Sequence, residues 1–154
     1  MCSMINIRAA FETDIPQILK IEQESFSVPW THGQLLREIY NEESFFLLAV
    51  EKNDVLGFVI LRCSEYEAQL FQIAVCGRHR RRGVADKMMA AALCHFFKFR
   101  QAAEKTPIKL TLEVRTGNTA AIKLYEKHGF NFVANRKNYY THPTEDAVVM
   151  MREV

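Results

Sequence analysis

The spacing of hydrophobic and polar positions changes several times along the chain, and these changes predict an alternation of strands and helices. Residues 5–9 alternate between apolar and polar, as in a half-buried strand. Apolar residues then recur at helical spacing over residues 14–25 and 31–40. Each of these segments begins with a polar residue followed three positions later by glutamine. This pattern predicts capping boxes at Asp14–Gln17 and at Thr31–Gln34.

The rest of the chain predicts more strands. Residues 45–51 and 55–62 are β-branched and aromatic, and Lys52-Asn53-Asp54 between them predicts a hairpin. A strand at 68–75, a helix at 83–102, a strand at 108–114 and a helix at 119–127 follow. The last helix is predicted to end at Gly129 in the left-handed conformation. Residues 130–134 and 147–152 predict two final strands joined by a polar loop.

This order predicts the fold class. We expect an α/β protein with an open, mixed central sheet of about seven strands flanked by about four helices. The length of 154 residues fits one domain spanning residues 1–154. The chain is 49% hydrophobic and 25% charged, which is typical of a globular protein.

Further expectations come from what the sequence lacks. No apolar run approaches the roughly 20 residues that span a bilayer, and the first residues do not resemble a secretory signal. We therefore expect a cytoplasmic protein without a membrane segment. The four cysteines include no C-x-x-C pair, and the five histidines include no pair four residues apart. We accordingly expect reduced thiols and no metal site.

The most informative segment is the basic loop at residues 76–85, with the sequence CGRHRRRGVA. A predicted strand precedes it and a predicted helix follows, so the loop directs backbone N–H groups and a helix N-terminus towards one point. Such an arrangement suits an anion. The net charge is only +2 although this loop alone holds four arginines, so the rest of the chain is net acidic. This concentration favours a compact polyanion, such as a nucleotide-like cofactor, over a nucleic acid. A solvated run of charges is the alternative.

Three segments carry a resemblance to a known family. Arg80-x-x-Gly83-x-Ala85 resembles the Q/R-x-x-G-x-G/A loop of the GCN5-related N-acetyltransferases (GNAT family). The sequences LEVRTGN at 112–118 and AIKLYEKHGF at 121–130 resemble a second conserved block of that family. The ending, with Asn138-Tyr139-Tyr140 and Glu145-Asp146-Ala147, is together with Pro29-Trp30 similar to the RimI branch, whose members acetylate the N-terminal alanine of a small-subunit ribosomal protein. The likeness covers nearly the whole chain.

The resemblance implies a GNAT fold that uses acetyl-coenzyme A as co-substrate. Backbone N–H groups of about residues 81–86 are expected to surround its pyrophosphate, with arginine side chains adding charge-assisted contacts. Strand residues 73–75 are expected to line the pantetheine arm. The expected cofactor-binding residues are Ile73, Ala74, Val75, Arg80, Arg81, Arg82, Gly83, Val84, Ala85, Asp86 and Asn118. Asp86 departs from the usual pattern, and we expect its carboxylate to repel the pyrophosphate.

The resemblance also implies the catalytic roles. Glu113 is expected to take a proton from the attacking amine, and Tyr125 is expected to give one to the departing thiolate. Direct attack in a ternary complex is favoured over an acetyl-enzyme on Cys63 or Cys76, which have no evident activating base. Taken alone, Glu113 also fits the solvent face of a strand, and Tyr125 fits core packing.

The expected partner is the N-terminal peptide of a ribosomal protein, bound by a monomer without direct contact to nucleic acid. Pro29 and Trp30 either seal the edge of the core or form a lip over this peptide. The alternatives are acetylation of a lysine or small amine, and a non-enzymatic module that binds coenzyme A or RNA.

Overall fold

The computed structural model of the protein describes residues 4–102 and 109–153. Within these residues, four α-helices and seven β-strands follow in the predicted order. The strands are β1 (Asn6–Ala9), β2 (Ser44–Glu51), β3 (Asp54–Cys63), β4 (Ala68–Val75), β5 (Lys109–Arg115), β6 (Asn131–Tyr140) and β7 (Glu145–Glu153). The helices are α1 (Ile15–Ser25), α2 (His32–Ile39), α3 (Val84–Ala102) and α4 (Thr119–Lys127).

The seven strands form one sheet in the order β1-β2-β3-β4-β5-β7-β6. Neighbouring strands are antiparallel except for β4 and β5, which are parallel. Helix α3 makes the crossover between these two strands, as a parallel connection requires. The predicted α/β class with an open, mixed sheet is therefore confirmed.

The two faces of the sheet carry separate hydrophobic cores. One core packs under α3 and α4 and includes Met88, Phe96 and Phe130, each no more than 1% exposed. The other packs under α1 and α2 and includes Ile18 and Leu35, both fully buried. The helices on each face are amphipathic, and burial of their apolar sides supplies most of the driving force for this arrangement.

Several local predictions are confirmed. The β2–β3 connection is a two-residue hairpin, with Glu51 paired to Asp54 and Lys52 in a left-handed conformation (φ 56°). Thr31 caps α2 by accepting the Gln34 N–H, and the Gln34 side chain accepts the Thr31 N–H in return. Gly129 ends α4 with φ 87°. Position 108, the predicted start of β5, lies outside the described residues.

Two local predictions were wrong. Asp14 does not cap α1 with its side chain, because its carboxylate instead accepts two hydrogen bonds from the Arg8 guanidinium and one from the Phe11 N–H, each 2.8 Å. The Gln17 side chain accepts the Val55 N–H from β3. Most of the polar loop predicted between the last two strands is strand, because β6 continues to Tyr140 and β7 begins at Glu145.

No helix among the described residues is long and apolar enough to cross a membrane.

Candidate active site

The two central strands separate in the middle of the sheet. β4 and β5 pair only at Ala68–Leu110 and Gln69–Thr111, and their remaining residues do not pair with one another. β5 stays paired to β7 along its whole length on its other side. The separation therefore opens a gap between β4 and β5 while leaving both strands supported.

The basic loop turns sharply between β4 and α3. Arg81 and Gly83 both adopt left-handed conformations, with φ of 62° and 73°. A Cβ atom placed on Gly83 would meet no protein atom within 4 Å, so this side of the turn is open. The first turn of α3 is joined to the loop by the Lys87 N–H, which donates to the Gly83 carbonyl. The N–H groups that precede Lys87 are those a helix N-terminus offers to an anion.

A cleft of about 600 Å³ lies at this helix start. It runs between the end of β4, the basic loop and the first turn of α4. All but one of the sequence-predicted cofactor residues line it: Ile73, Ala74, Val75, Arg80, Arg81, Gly83, Val84, Ala85, Asp86 and Asn118.

Arg82 is the exception. Its guanidinium turns to β2, where it forms an ion pair with Glu51 (Nη2 to Oε1, 2.8 Å). Its Nη1 also donates to His79 Nδ1 at 3.0 Å, and His79 does line the cleft. The Arg82 side chain therefore ties the loop to β2, and Arg82 does not line the cleft.

The charge of Asp86 is compensated within the protein. Its Oδ1 lies 3.0 Å from Lys127 Nζ and 2.8 Å from His128 Nε2, both at the C-terminal end of α4. Hydrogen bonds from these two groups lower the pKa of Asp86. The expected repulsion of a pyrophosphate by Asp86 is therefore reduced, and its carboxylate instead joins the start of α3 to the end of α4.

Asn118 begins α4 at the far wall of the cleft. Its side-chain carbonyl accepts the Ala121 N–H at 3.2 Å and so caps the helix. The turn before it is fixed by Glu145, which accepts the Gly117 N–H at 2.7 Å and the Thr116 hydroxyl at 3.2 Å. These bonds place a second helix N-terminus beside the first.

Glu113 lies on β5 just beyond the last pairing with β4. Its Oε2 accepts a hydrogen bond from the Gln69 side-chain amide at 3.0 Å, and its Oε1 lies 3.8 Å from Arg136 Nη2. The side chain is 16% exposed. Glu113 is thus a carboxylate in the gap between the strands, with one hydrogen bond from a neutral amide and one longer ion pair with an arginine.

Tyr125 is buried on the inner side of α4, where its ring packs edge-on against Phe130 with centroids 6.0 Å apart. Burial raises the pKa of its phenol well above the ordinary value, and the neighbouring Tyr140 adds to this effect. The pKa of Tyr140 is raised to about 12, chiefly by burial and then by Tyr139 and Glu113. Tyr140 therefore lies within electrostatic reach of both Glu113 and Tyr125.

A buried acid supports the segment that connects α1 and α2. Glu22 is fully buried, and its Oε2 accepts the Trp30 N–H at 3.0 Å. Burial raises the pKa of this carboxyl to about 7, against the lowering effects of Trp30 and Gln72. Trp30 itself is half-buried and packs edge-on against Phe71 of β4, with centroids 6.5 Å apart.

Sequence reasoning missed several residues that line the cleft. The end of α1 contributes Ser25 and Phe26, and α4 contributes Ala120, Ala121 and Leu124. The α4 side chains that line the cleft recur at helical spacing after Asn118. This periodicity could have identified them from the sequence. Nothing local in the sequence places the end of α1 against a loop more than 50 residues away.

The cleft has the chemical character that a phosphorylated cofactor requires. Two left-handed residues turn the backbone, a helix N-terminus offers N–H donors, and Arg80 and Arg81 add positive charge. The apolar side chains that β4 and α4 contribute to the cleft suit an uncharged chain attached to such phosphates. The residues present thus fit coenzyme A, because the basic loop suits phosphates and these apolar side chains suit an uncharged chain. Within residues 4–102 and 109–153, no three His, Cys, Asp or Glu side chains are grouped as metal ligands would be.

Comparison with known proteins gives relatives that match almost end to end. The chain is 35% identical over 147 residues to the [Ribosomal protein bS18]-alanine N-acetyltransferase of Haemophilus ducreyi, covering 94% of this chain and 97% of that protein. It is 37% identical over 140 residues to the protein of the same name from Haemophilus influenzae, covering 89% and 90%.

A solved structure shows the same arrangement of strands and helices. The crystal structure of the ribosomal-protein-S18-alanine N-acetyltransferase from Escherichia coli superposes with a TM-score of 0.81 at 31% identity, covering 98% of this chain and 94% of that one. The sequence model of the Acetyltransferase (GNAT) family matches residues 15–130. The fold, the basic loop at the start of α3 and these matches agree, and the chain belongs to the acetyltransferase (GNAT) family.

Proposed function

We propose that this protein transfers the acetyl group of acetyl-coenzyme A to the N-terminal α-amino group of a protein, and that the acceptor is the N-terminal alanine of ribosomal protein bS18. The observation that carries this proposal is the near full-length similarity, at 35–37% identity, to enzymes named for that reaction. The cleft supports it independently, because its lining suits coenzyme A.

Acetyl-coenzyme A supplies an activated acetyl group as a thioester. Backbone N–H groups of residues 81–86 and the side chains of Arg80 and Arg81 hold its phosphates. Ile73, Ala74 and Val75 line the path towards the gap between β4 and β5, and Asn118 contacts the cofactor from the start of α4.

Glu113 acts as the general base. An α-amino group has a pKa near 7.7–8.0 and is mostly protonated at neutral pH, so it must lose a proton before it can attack a carbonyl carbon. The Glu113 carboxylate lies where β4 and β5 separate, and its contact with Gln69 fixes its orientation. It takes the proton from the amine directly or through one water molecule.

Tyr125 acts as the general acid. Its raised pKa keeps the phenol protonated throughout the physiological range, so the hydroxyl can donate a proton to the departing sulfur atom. Attack is direct, within a ternary complex. An acetyl-enzyme on Cys63 is disfavoured because this thiol is buried in the core.

We further propose that the enzyme works in the cytoplasm, where ribosomal proteins are made, as a monomer without direct contact to nucleic acid. The location and the absence of a nucleic-acid contact agree with the proposed acceptor, which is a protein N-terminus.

The decisive experiment is acetyl transfer to peptides, detected by mass. One peptide begins with alanine and carries the N-terminal sequence of bS18. A matched peptide has a blocked N-terminus and a free lysine. The proposal expects a mass increase of one acetyl group on the first peptide only. Transfer to the lysine of the blocked peptide would establish a lysine acetyltransferase instead, and no transfer to either would refute the proposal.

A further inference from the structure

Arg115, the last residue of β5, connects two loops that are distant in sequence. Its Nη1 donates to the Pro143 carbonyl at 2.9 Å, and its Nη2 donates to the Thr141 carbonyl at 3.0 Å. The same Nη2 donates to the Ser27 hydroxyl at 3.1 Å. One guanidinium therefore links the β6–β7 loop to the segment between α1 and α2.

Two more contacts complete the surroundings of Arg115. Its Nη1 lies 3.4 Å from Glu145 Oε1, and its guanidinium carbon sits over the Tyr140 ring, 4.5 Å from the centroid. The side chain is only 25% exposed. A flat guanidinium with several N–H donors can satisfy acceptors on separate segments and stack on a ring at once, whereas a lysine ammonium cannot reproduce this geometry.

The two loops that Arg115 joins lie beside the proposed base. Glu113 and Arg115 are two residues apart on β5, so their side chains project from the same face of the sheet. Tyr140, which Arg115 covers, interacts electrostatically with Glu113. Ser27 belongs to the same connection as Trp30, and Thr141 and Pro143 follow Tyr140. Both loops therefore border the face of the gap that Glu113 occupies.

We propose that Arg115 is a positioning residue that holds these two loops together as the walls of the acceptor-peptide site. This inference rests on the proposed function, because it assumes a peptide acceptor at Glu113. Arg115 is not among the residues that line the cofactor cleft. Its loss should therefore weaken peptide binding and leave cofactor binding intact.

The test compares Arg115→Lys with wild type. The variant keeps the positive charge but removes the planar guanidinium group with its several N–H donors. Trp30 is the only tryptophan in the chain, so its fluorescence reports peptide binding to the α1–α2 connection without any need for turnover. We measure the peptide dissociation constant from this signal with coenzyme A present, the KM of the peptide and kcat from acetyl transfer, and the dissociation constant of coenzyme A by calorimetry.

Two further variants serve as controls. Arg8→Lys makes the same chemical change at another paired arginine, because the Arg8 guanidinium donates two 2.8 Å hydrogen bonds to the Asp14 carboxylate. Arg8 lies on β1, at one outer edge of the sheet. It should leave all four constants within twofold of wild type. Ser27→Ala removes a single contact to Arg115 and keeps the inference testable if Arg115→Lys does not fold.

For Arg115→Lys, we expect the peptide dissociation constant and KM to rise at least tenfold, while kcat and the dissociation constant of coenzyme A change less than twofold. Ser27→Ala should raise the peptide constants by a smaller factor. If wild type transfers acetyl to the alanine peptide and both variants keep wild-type peptide constants, the role of Arg115 is refuted and the function stands. A loss of coenzyme A affinity as large as the loss of peptide affinity would also refute the role of Arg115. If wild type transfers acetyl to no peptide, both proposals fail.

Discussion

The side-chain amide of Gln69 on β4 donates a 3.0 Å hydrogen bond to Glu113 Oε2 on β5. Gln69 belongs to the last residue pair that joins these two strands, so the bond crosses the gap just where the backbones separate. The carboxylate that we propose as the base is therefore attached to both strands of the gap.

Replacing Glu113 with Gln should lower kcat by about 10²-fold or more at pH 7, the usual contribution of a general base. Because an α-amino group loses its own proton above about pH 8, the deficit should shrink as pH rises towards 9. Initial rates at saturating acetyl-coenzyme A across this range provide the measurement. Glu126→Gln, an exposed carboxylate on α4, is the matched control. A pH-independent deficit would contradict the role of base.

Replacing Tyr125 with Phe should lower kcat by about 10²-fold while leaving the dissociation constant of acetyl-coenzyme A nearly unchanged. The ring keeps its packing against Phe130, so the melting temperature should stay close to that of wild type. Steady-state kinetics and thermal unfolding test both points. Tyr66→Phe, at a tyrosine that is 79% exposed, should leave kcat at the wild-type value. A Tyr125→Phe enzyme of normal kcat would remove Tyr125 from the mechanism.

Gly83→Ala should weaken coenzyme A binding. The backbone at this position has φ 73°, which costs about 1 kcal/mol for a residue with a Cβ, and the new methyl group points into space that no protein atom fills. Calorimetric titration with coenzyme A is the measurement. Gly33→Ala on α2 also meets no protein atom within 4 Å, but its φ is ordinary, so it should leave binding unchanged. Equal affinities for both variants would argue against phosphate binding at Gly83.

Arg81→Gln should raise the dissociation constant of coenzyme A about tenfold or more, because a charge-assisted hydrogen bond contributes about 1.5–3 kcal/mol. Arg82→Gln should have a smaller effect on binding, since the Arg82 side chain pairs with Glu51 and does not line the cleft. Calorimetry on these adjacent substitutions measures the difference. A larger loss for Arg82→Gln would mean that its side chain leaves Glu51 to bind the cofactor.

Glu22 should make stability fall as pH rises. Burial raises the pKa of its carboxyl from 4.5 to about 7, so the folded protein holds a proton that the unfolded chain releases between these values. The stability contributed by this difference is fully present below about pH 4.5 and is lost by about pH 7. A shift of that size corresponds to about 3 kcal/mol.

Glu22→Gln removes this titration and keeps an acceptor for the Trp30 N–H. Relative to wild type, the variant should therefore gain stability between pH 5 and pH 8. Urea unfolding at the two pH values measures the change. If the difference in unfolding free energy between variant and wild type is the same at both pH values, the pH dependence does not come from Glu22.

The sequence predicted best where local pattern and tertiary packing agree. Thr31 and Gln34 form their capping box within one turn of helix, and the order of strands and helices follows from the hydrophobic period. Asp14 has the same local pattern, but Arg8 on β1 competes for its carboxylate with a bidentate ion pair. A contact of this kind depends on how β1 packs, which local spacing does not encode.

β6 shows a second limit. Its first residues were predicted as a strand, but nearly all of its residues are exposed, so beyond residue 134 no alternation of apolar and polar positions marks its continuation to Tyr140. It forms because β7 offers a pairing edge. The cleft was predictable in its loop and in the start of α3, which carry the family pattern. The compensation of Asp86 by Lys127 and His128, and the role of Arg115, depend on three-dimensional contacts.

The early separation of β4 and β5 has a thermodynamic consequence. Several backbone groups at the centre of the sheet give up strand-to-strand hydrogen bonds, each of which contributes about 1 kcal/mol. The protein alone is thereby less stable than a protein of the same size whose two central strands pair along their full length. A ligand whose amide groups form hydrogen bonds with these unpaired backbone groups should stabilise the folded protein. The melting temperature should therefore rise with the concentration of that ligand.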